Sequence, residues 1–333
     1  VNEIDVIIIG AGPAGCAAAI RARRAKLNVA IFEANPFPKK SPGETLHPGI
    51  ESLFKQLGII EQIHAAGFTR HSGIWLENNR GQRQFIPYGE DNNGPWLGYQ
   101  AQRKILQQIL QQAVIKSKAD LIIDAHPEQA LIKKNRVVGI IADGQVFRSK
   151  WTLDATGRRA WLAKKLGLSE VLRSPPLRVK FGWSKEILPE LDNQPIFTFN
   201  HNGWRWKAPI GGDQIAWTEL SIGASPTLQN QSQGVNVTWG IRPHSAGPGF
   251  FLLGDAAAIL DPSSSHGVLR AVMSGIMAGH LMAGCYSGNV SERTAMEVYR
   301  TWQRELFEQD VIQLRRKYTE SVAGAEFMHE FMM

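Results

Sequence analysis

Cysteine is nearly missing from this chain: Cys16 and Cys285 are the two among 333 residues. Each falls in a segment that reads as helix, so neither a disulfide framework nor a metal site is expected, and both read as small core residues. Strong clustering of charge is missing too. The 37 Lys and Arg residues exceed the 30 Asp and Glu, for a formal net charge of +7. They are spread along the chain, with short clusters at Arg21-Ala22-Arg23-Arg24 and Arg315-Arg316-Lys317. No basic stripe with interleaved aromatics points to nucleic acid. A solvated basic surface accounts for the excess, and an acidic substrate or acidic protein partner is its sharper reading. No internal repeat is visible. No membrane span is expected, and residues 6–9 read as a strand rather than a signal sequence, so the expectation is a soluble cytoplasmic protein. At 43% hydrophobic, the chain can bury the core of one large or two interlocked domains.

What is present begins with a βαβ pattern. Asp5-Val6-Ile7-Ile8-Ile9 is a β-branched run suited to a buried parallel strand. Gly10-Ala11-Gly12-Pro13-Ala14-Gly15 follows, then an alanine-rich helix over residues 16–25 and a strand over residues 28–32 that ends at Glu33. A strand before the glycines and a helix after them meet the structural test for a dinucleotide fingerprint. Gly10 permits the tight turn, Gly12 lets backbone approach a pyrophosphate, and Gly15 lets helix and strand pack closely. Glu33 stands where a carboxylate accepts hydrogen bonds from an adenosine ribose. The fingerprint alone does not separate FAD from NAD.

Residues 67–95 turn to short strands and polar turns, an excursion into a second sheet. Residues 102–117 read as helix, 121–124 as a core strand, 128–147 as a β-meander, and 151–154 as a return to the core. Residues 175–242 are rich in strands and Trp and read as the main substrate sheet. In residues 250–275 an apolar strand runs into Gly254-Asp255, Asp261-Pro262 follows, and a helix opens at Gly267. A strand ending in an acid, then a helix whose free N–H groups point back, suits sugar hydroxyls and phosphates. A last helix covers residues 292–322.

These motifs, with Asp154-Ala155-Thr156-Gly157 between them, resemble the glutathione-reductase-type flavoproteins, in their aromatic-hydroxylase and flavin-halogenase branch. That branch carries G-x-G-x-x-G, then D-x-x-G, then G-D followed by D-P, and all stand here in that order. The resemblance implies FAD, held by Gly10, Gly12, Pro13, Ala14, Gly15, Glu33, Asp154, Gly157, Gly254 and Asp255, with Asp255 at the ribityl or pyrophosphate region. It also implies that Pro262, Ser265, Gly267 and Val268 line the flavin ring. The positive end of the helix starting near Gly267 would then favour an anionic reduced flavin. Arg103 matches an arginine often placed near the cofactor. Pro42-Gly43-Glu44-Thr45-Leu46-His47-Pro48 resembles the G-E-S/T-L-x-P segment beside the flavin.

The fold expected is α/β. A Rossmann-like FAD-binding domain with a parallel sheet (residues 1–66, 99–165 and 246–333, including C-terminal helices) is interleaved with an antiparallel β-sheet substrate domain (67–98 and 166–245). Trp204-Arg205-Trp206-Lys207-Ala208-Pro209 is similar to the W-x-W-x-I-P of halogenases, with Ala208 in place of Ile, and to the Y-x-W-x-F-P of geranylgeranyl reductases. Alternation puts both indoles on one strand face, as core or as the wall of a substrate channel. Trp96 and Trp217 are further expected pocket residues.

Halogenases of this kind are thought to use a lysine between flavin and substrate, and no lysine occurs between Lys55 and Lys104. The resemblance then favours a monooxygenase acting through a flavin C4a-hydroperoxide on an aromatic or indole group, including a peptide- or protein-borne tryptophan. His266, His47 and Glu44 are the expected catalytic residues, because each lies in a segment expected at the flavin. The alternatives are a flavin-dependent halogenase, an isoprenoid reductase of the geranylgeranyl type, and a flavoprotein acting mainly as a partner-binding maturation factor. No second glycine-rich fingerprint is present, so electrons are expected from transiently bound NAD(P)H or from a separate reductase.

Overall fold

The aliphatic run at the start becomes β1 (Ile4–Ile9), whose last four residues are buried, as a central parallel strand requires. The computed structural model describes residues 4–35, 44–78, 80–186, 188, 191–200, 203–221 and 234–320. α1 (Pro13–Arg24) opens on a proline, where no N–H is needed. β2 (Val29–Glu33) returns parallel to β1, with Val6 opposite Val29. A Cβ on Gly15 would lie 2.0 Å from the Gly10 carbonyl oxygen, so helix and strand approach this closely only without one.

β3 (Glu44–Leu46) leads to the short helices α2 (Ile50–Leu57) and α3 (Ile60–Ala65), then β4 (Thr69–His71). The hairpin β5 (Gly73–Glu77) and β6 (Arg83–Pro87), the small ladder β7 (Glu90–Asp91) and β8 (Gly94–Pro95), and β9 (Gly98–Ala101) follow. α4 (Arg103–Lys116) and β10 (Asp120–Ile123) return to the first sheet. The expected meander is β11 (Pro127–Lys133), β12 (Arg136–Ala142) and β13 (Gln145–Asp154), closed by α5 (Trp161–Lys165). β13 is ten residues long and serves two roles. Its first part pairs antiparallel with β12, and its last part pairs parallel with β1.

The Trp-rich stretch supplies β14 (Val171–Leu172), β15 (Arg178–Lys185), β16 (Ile196–Asn200), β17 (Gly203–Pro209), β18 (Gln214–Ser221), β19 (Val235–Asn236) and β20 (Gly240–Ile241). β21 (Ala246–Gly247), β22 (Phe250–Leu252) and β23 (Ala258–Ile259) bring the chain back, with Thr152 opposite Phe250 in a parallel pair. α6 (Gly267–Tyr286) and α7 (Glu292–Glu320) end the described chain. The result is a mixed α/β architecture. One sheet runs β10-β2-β1-β13 in parallel, extended by β22 on one path and by β12-β11 on another. A seven-stranded sheet runs β19-β15-β18-β17-β16-β5-β6.

α7 spans both cores. Ala295 and Tyr299 pack in the core around α1 and α6, while Phe307, Val311, Leu314 and Tyr318 pack against Trp204, Leu220 and Trp239 of the second core. Burying four such side chains contributes about 2 kcal/mol each, enough to hold the second sheet against the first.

α6 is more apolar than the sequence reading allowed: residues 271–291 contain no Asp, Glu, Lys or Arg, a length and composition that a membrane-crossing helix shares. In the fold that apolarity serves packing, because the helix lies lengthwise on α1. A Cβ on Gly275 would lie 2.2 Å from the Ala14 carbonyl oxygen, and one on Gly279 would lie 2.8 Å from Cβ of Arg21.

His71 on β4 is 1% exposed, its Nδ1 is 3.2 Å from the Gly73 carbonyl oxygen, and its ring faces Tyr88 at 5.4 Å. Burial, the leading cause, pulls its pKa from 6.5 down to about 4. The unfolded chain therefore binds a proton below pH 6.5 that the folded chain refuses until about pH 4. The stability from a neutral His71 is fully present above 6.5 and is lost as pH falls toward about 4, by up to about 1.4 kcal/mol per pH unit. Thermal unfolding between neutral pH and about pH 5 should show a smaller loss of Tm in His71→Gln than in the parent protein. Equal losses would place the titration elsewhere.

Candidate active site

One cavity of about 610 Å³ extends from the glycines after β1 to the antiparallel sheet. At its first end lie Gly10, Gly12, Pro13 and Ala14, with Glu33 beside them. Glu33 is held from both sides: Oε2 accepts from the Ala11 N–H at 2.8 Å and Oε1 from the Asn35 N–H at 2.9 Å. Oε1 also accepts from Asn35 Nδ2 at 3.2 Å, while Oε2 keeps a further lone pair for a ribose hydroxyl. Gly15 stays outside the lining and does the packing work described above. A Cβ placed on Gly12, Gly157 or Gly267 would meet nothing within 4 Å. Open space over three glycines, with the free N–H groups of α1 at one of them, fits a dinucleotide cradle.

α4 supplies one side of the cavity through Arg103, Gln107 and Gln111. Spacing of four places them on one helix face. Gln107 Nε2 donates to the Ala11 carbonyl oxygen, fixing α4 to the glycine turn. Gln107 and Gln111 were not among the expected site residues, although their repeat with Arg103 is a signal visible in the sequence.

The D-x-x-G segment works differently from the expectation. Asp154 is fully buried and does not line the cavity. Its Oδ2 accepts from the N–H of Leu162 at 2.8 Å and of Ala163 at 3.3 Å, and its Oδ1 accepts from Thr156 N–H and Oγ1–H. Burial pushes its carboxyl above the usual range, against the pull of those donors. Asp154 therefore shapes the turn and caps α5, while Ala155, Thr156, Gly157, Arg158 and Arg159 face the cavity. Arg158 Nε lies 3.2 Å from Asp255 Oδ2, and Arg158 also donates to the Asn236 carbonyl oxygen. Gly254 and Asp255 line the cavity between these groups.

Pro262, Ser265, Gly267 and Val268, the residues expected at the flavin ring, also line it. The turn they occupy is organised by Asp261, 1% exposed. Its Oδ1 accepts from Ser263 N–H at 2.8 Å, and its Oδ2 accepts from Trp239 Nε1 at 2.6 Å and Tyr318 OH at 3.2 Å. His266 caps α6 without a side-chain bond to the helix, so the first-turn N–H groups there are left for a ligand.

The second sheet forms the far wall, where Trp204 and Trp206 both line the cavity with Phe181, Phe197 and Thr218. Trp204 is 1% exposed and its Nε1 donates to Tyr318 OH at 2.8 Å. Trp217 is corrected: β18 alternates, Thr218 faces the cavity, and Trp217 lies on the other face over Gly182. Trp96 is corrected too. It is 46% exposed, covers Gly89 and donates to Asp91 Oδ2 at 3.3 Å, outside the lining.

Of the residues expected to be catalytic, His266 and His47 stand together, ring centroids 6.1 Å apart, beside rather than on the cavity lining. His266 Nδ1 is 3.3 Å from Asp310 Oδ2, which also pairs with Arg270 Nε. Burial pushes the Asp310 carboxyl up, but the His266 hydrogen bond and the Arg270 charge outweigh it and hold the group below the usual range. His47 Nδ1 accepts from the Gly49 N–H at 3.1 Å, and burial followed by the charge of His266 lowers its pKa. The backbone of Glu44 pairs with Ala101 in β9. The Glu44 side chain, with Pro42 and Gly43, lies outside the described residues.

Residues 5–169 match the sequence profile of the FAD dependent oxidoreductase family. The chain is 26% identical to a 1H-pyrrole-2-carbonyl-[peptidyl-carrier protein] brominase of Pseudoalteromonas luteoviolacea, over 90% of this chain and 82% of the relative. It is 25% identical to a tryptophan 2-halogenase of Chondromyces crocatus, over 90% of this chain but 65% of that relative. A probable FAD-dependent monooxygenase of Pseudomonas aeruginosa, pqsL, shares the fold with a TM-score of 0.80 at 14% identity, covering 100% of both chains.

The open space over Gly12 makes a direct test of the cradle. Gly12 has φ −72°, a conformation any residue adopts, so Gly12→Val should leave the fold intact while its side chain fills the space for the pyrophosphate. The variant is expected to purify without the visible flavin absorption and with an apoprotein Tm equal to the parent's. Normal FAD content would show that the cradle is elsewhere.

Proposed function

We propose that this chain, an FAD-dependent oxidoreductase of the halogenase- and monooxygenase-like superfamily, hydroxylates an aromatic ring, free or borne on a protein. The observation that carries this reading is the continuity of the cavity between the glycine cradle and a wall of Phe181, Phe197, Trp204 and Trp206. A ring held on that wall would lie in the same cavity as the cofactor. Bound reduced FAD supplies the electrons that turn dioxygen into an electrophilic oxygen donor, and NAD(P)H or a separate reductase replaces them.

The protein's own part is to hold, orient and exclude water. The aromatic wall buries the ring's faces. The N-terminus of α6 offers N–H groups to negative charge at the turn of Ser265 and Gly267. His266, which stands beside the cavity between the lining residues Ser265 and Gly267 and whose Nδ1 faces Asp310, is assigned as the base that receives, through a solvent molecule in the cavity, the proton released when the ring carbon gains oxygen, with His47 as its neighbour. Glu44, in the same G-E-T-L segment, is assigned to the cofactor edge.

Hydroxylation is preferred because no lysine lines the cavity among the described residues. Halogenation is the second reading, favoured by the brominase and the tryptophan 2-halogenase among the relatives. Turnover of reduced holoenzyme with indole, under labelled dioxygen and with bromide present, separates the two. Hydroxylation predicts a product carrying the oxygen label and no bromine. A brominated product without the label would establish the second reading, and unlabelled, unmodified indole would sink both. His266→Ala is expected to keep its flavin absorption and lose product formation by about a hundredfold or more. Loss of FAD from that variant would instead mark His266 as structural.

A further inference from the structure

The strand register of the second sheet arranges its cavity side in rows. Phe181, Thr218, Trp206 and Phe197 lie side by side across β15, β18, β17 and β16. The neighbouring row is Val235, Val179, Leu220, Trp204 and Phe199. Thr218, 6% exposed and in contact with the cavity, is the one side chain in these rows that accepts a hydrogen bond. The Trp204 N–H is already used by Tyr318.

The charged residues that line this cavity come from outside the second sheet: Glu33, Arg103, Arg159 and Asp255, with Arg158, whose guanidinium reaches the edge strand β19 and is engaged there by the Asn236 carbonyl oxygen and by Asp255. Asp261, which also lines the cavity, already receives Ser263, Trp239 and Tyr318. The sequence from 221 to 234, which joins β18 to β19, contains no charged residue.

We propose that Thr218 is a specificity-determining residue of this wall: it accepts a hydrogen bond from a donor on an uncharged aromatic ring, a ring N–H or O–H. The proposal rests on the reading that an aromatic ring is the substrate. A free amino acid would bring an ammonium and a carboxylate to rows that carry no charged side chain, and their desolvation outweighs what burial of the ring returns. The ring therefore arrives neutral, with any charge carried on a tether that stays in water. Trp183 marks a place for that tether. It is two residues beyond Phe181 on the same strand face, 42% exposed, and stands edge-to-face on Phe181 with centroids 6.2 Å apart, continuing the aromatic wall to the surface.

The test is ligand binding to oxidised holoenzyme by calorimetry, which needs no turnover. The probes are indole with 1-methylindole, phenol with anisole, and L-tryptophan. Wild-type protein should bind at least one donor-bearing ring about tenfold more tightly than its methylated partner, and L-tryptophan at least tenfold more weakly than indole. The pair that shows the difference tells whether N–H or O–H is the donor. Thr218→Val keeps the shape of the side chain and should erase the difference, while flavin absorption and Tm stay at wild-type values. Should Val disturb the fold, Thr218→Ser keeps the hydroxyl and must keep the discrimination. Equal affinity for methylated and unmethylated rings, discrimination that survives in Thr218→Val, discrimination lost in Thr218→Ser, tight binding of L-tryptophan, or no binding of any probe would each overturn the proposal. Discrimination without any product on turnover would instead overturn the proposed hydroxylation and leave the role of Thr218 standing.

Discussion

The contact between α1 and α6 sets the geometry of everything else. The two helices run in the same direction, since Ala14 meets Gly275 and, further along, Arg21 meets Gly279. Their approach is limited by backbone rather than by side chains, which is why alanine fills α1 and glycine recurs in α6. Parallel packing brings both N-termini to one end, where Gly254 lies between Ala14 and Ala271. α6 starts eight residues before the point where Ala14 meets it, so the two positive ends are staggered along one cavity, which suits an extended ligand with anionic groups at both places. A phosphate-bearing cofactor with an anionic reduced ring is a ligand of that kind.

The second constraint is a single buried carboxylate. One oxygen of Asp261 shapes the turn that presents Pro262 and Ser265, and the other receives Trp239 and Tyr318. Tyr318 in turn holds Trp204. The turn at the cofactor end, the last part of α7 and the aromatic wall are thus joined through one group. Burial raises the pKa of Asp261 while its donors lower it. Removing a donor would leave a buried carboxylate short of a hydrogen bond, which costs more than the lost bond itself. The distance between cofactor turn and wall is therefore held stiffly, as a positioning device needs.

Local chemistry was legible and facing was not. Gly10, Gly12 and Glu33 could be brought to one cavity by spacing alone because a tight turn, a close backbone approach and a strand-end carboxylate are short-range requirements. Asp154 shows the limit: its motif marks the right turn, yet the carboxylate faces α5, because two N–H groups at a helix start compete for it. Trp204 and Trp206 were placed on one face by alternation alone. Trp217 was misplaced because nothing in its own strand says which of two faces is inside. Thr218, one residue on, carried no signal for the same reason.

By itself, the sequence determined the cofactor class and the order of elements, since glycine turns, apolar strands and helix starts act over a few residues. It also determined that the chain between β18 and β19 brings no charge. Tertiary structure alone decided that α6 lies along α1, that Asp310 meets His266 across 44 positions, and that Thr218 rather than Trp217 faces the cavity. Those outcomes depend on register and on packing between segments far apart in the chain. A shift of one residue in a strand reverses every side chain, and no local propensity specifies it.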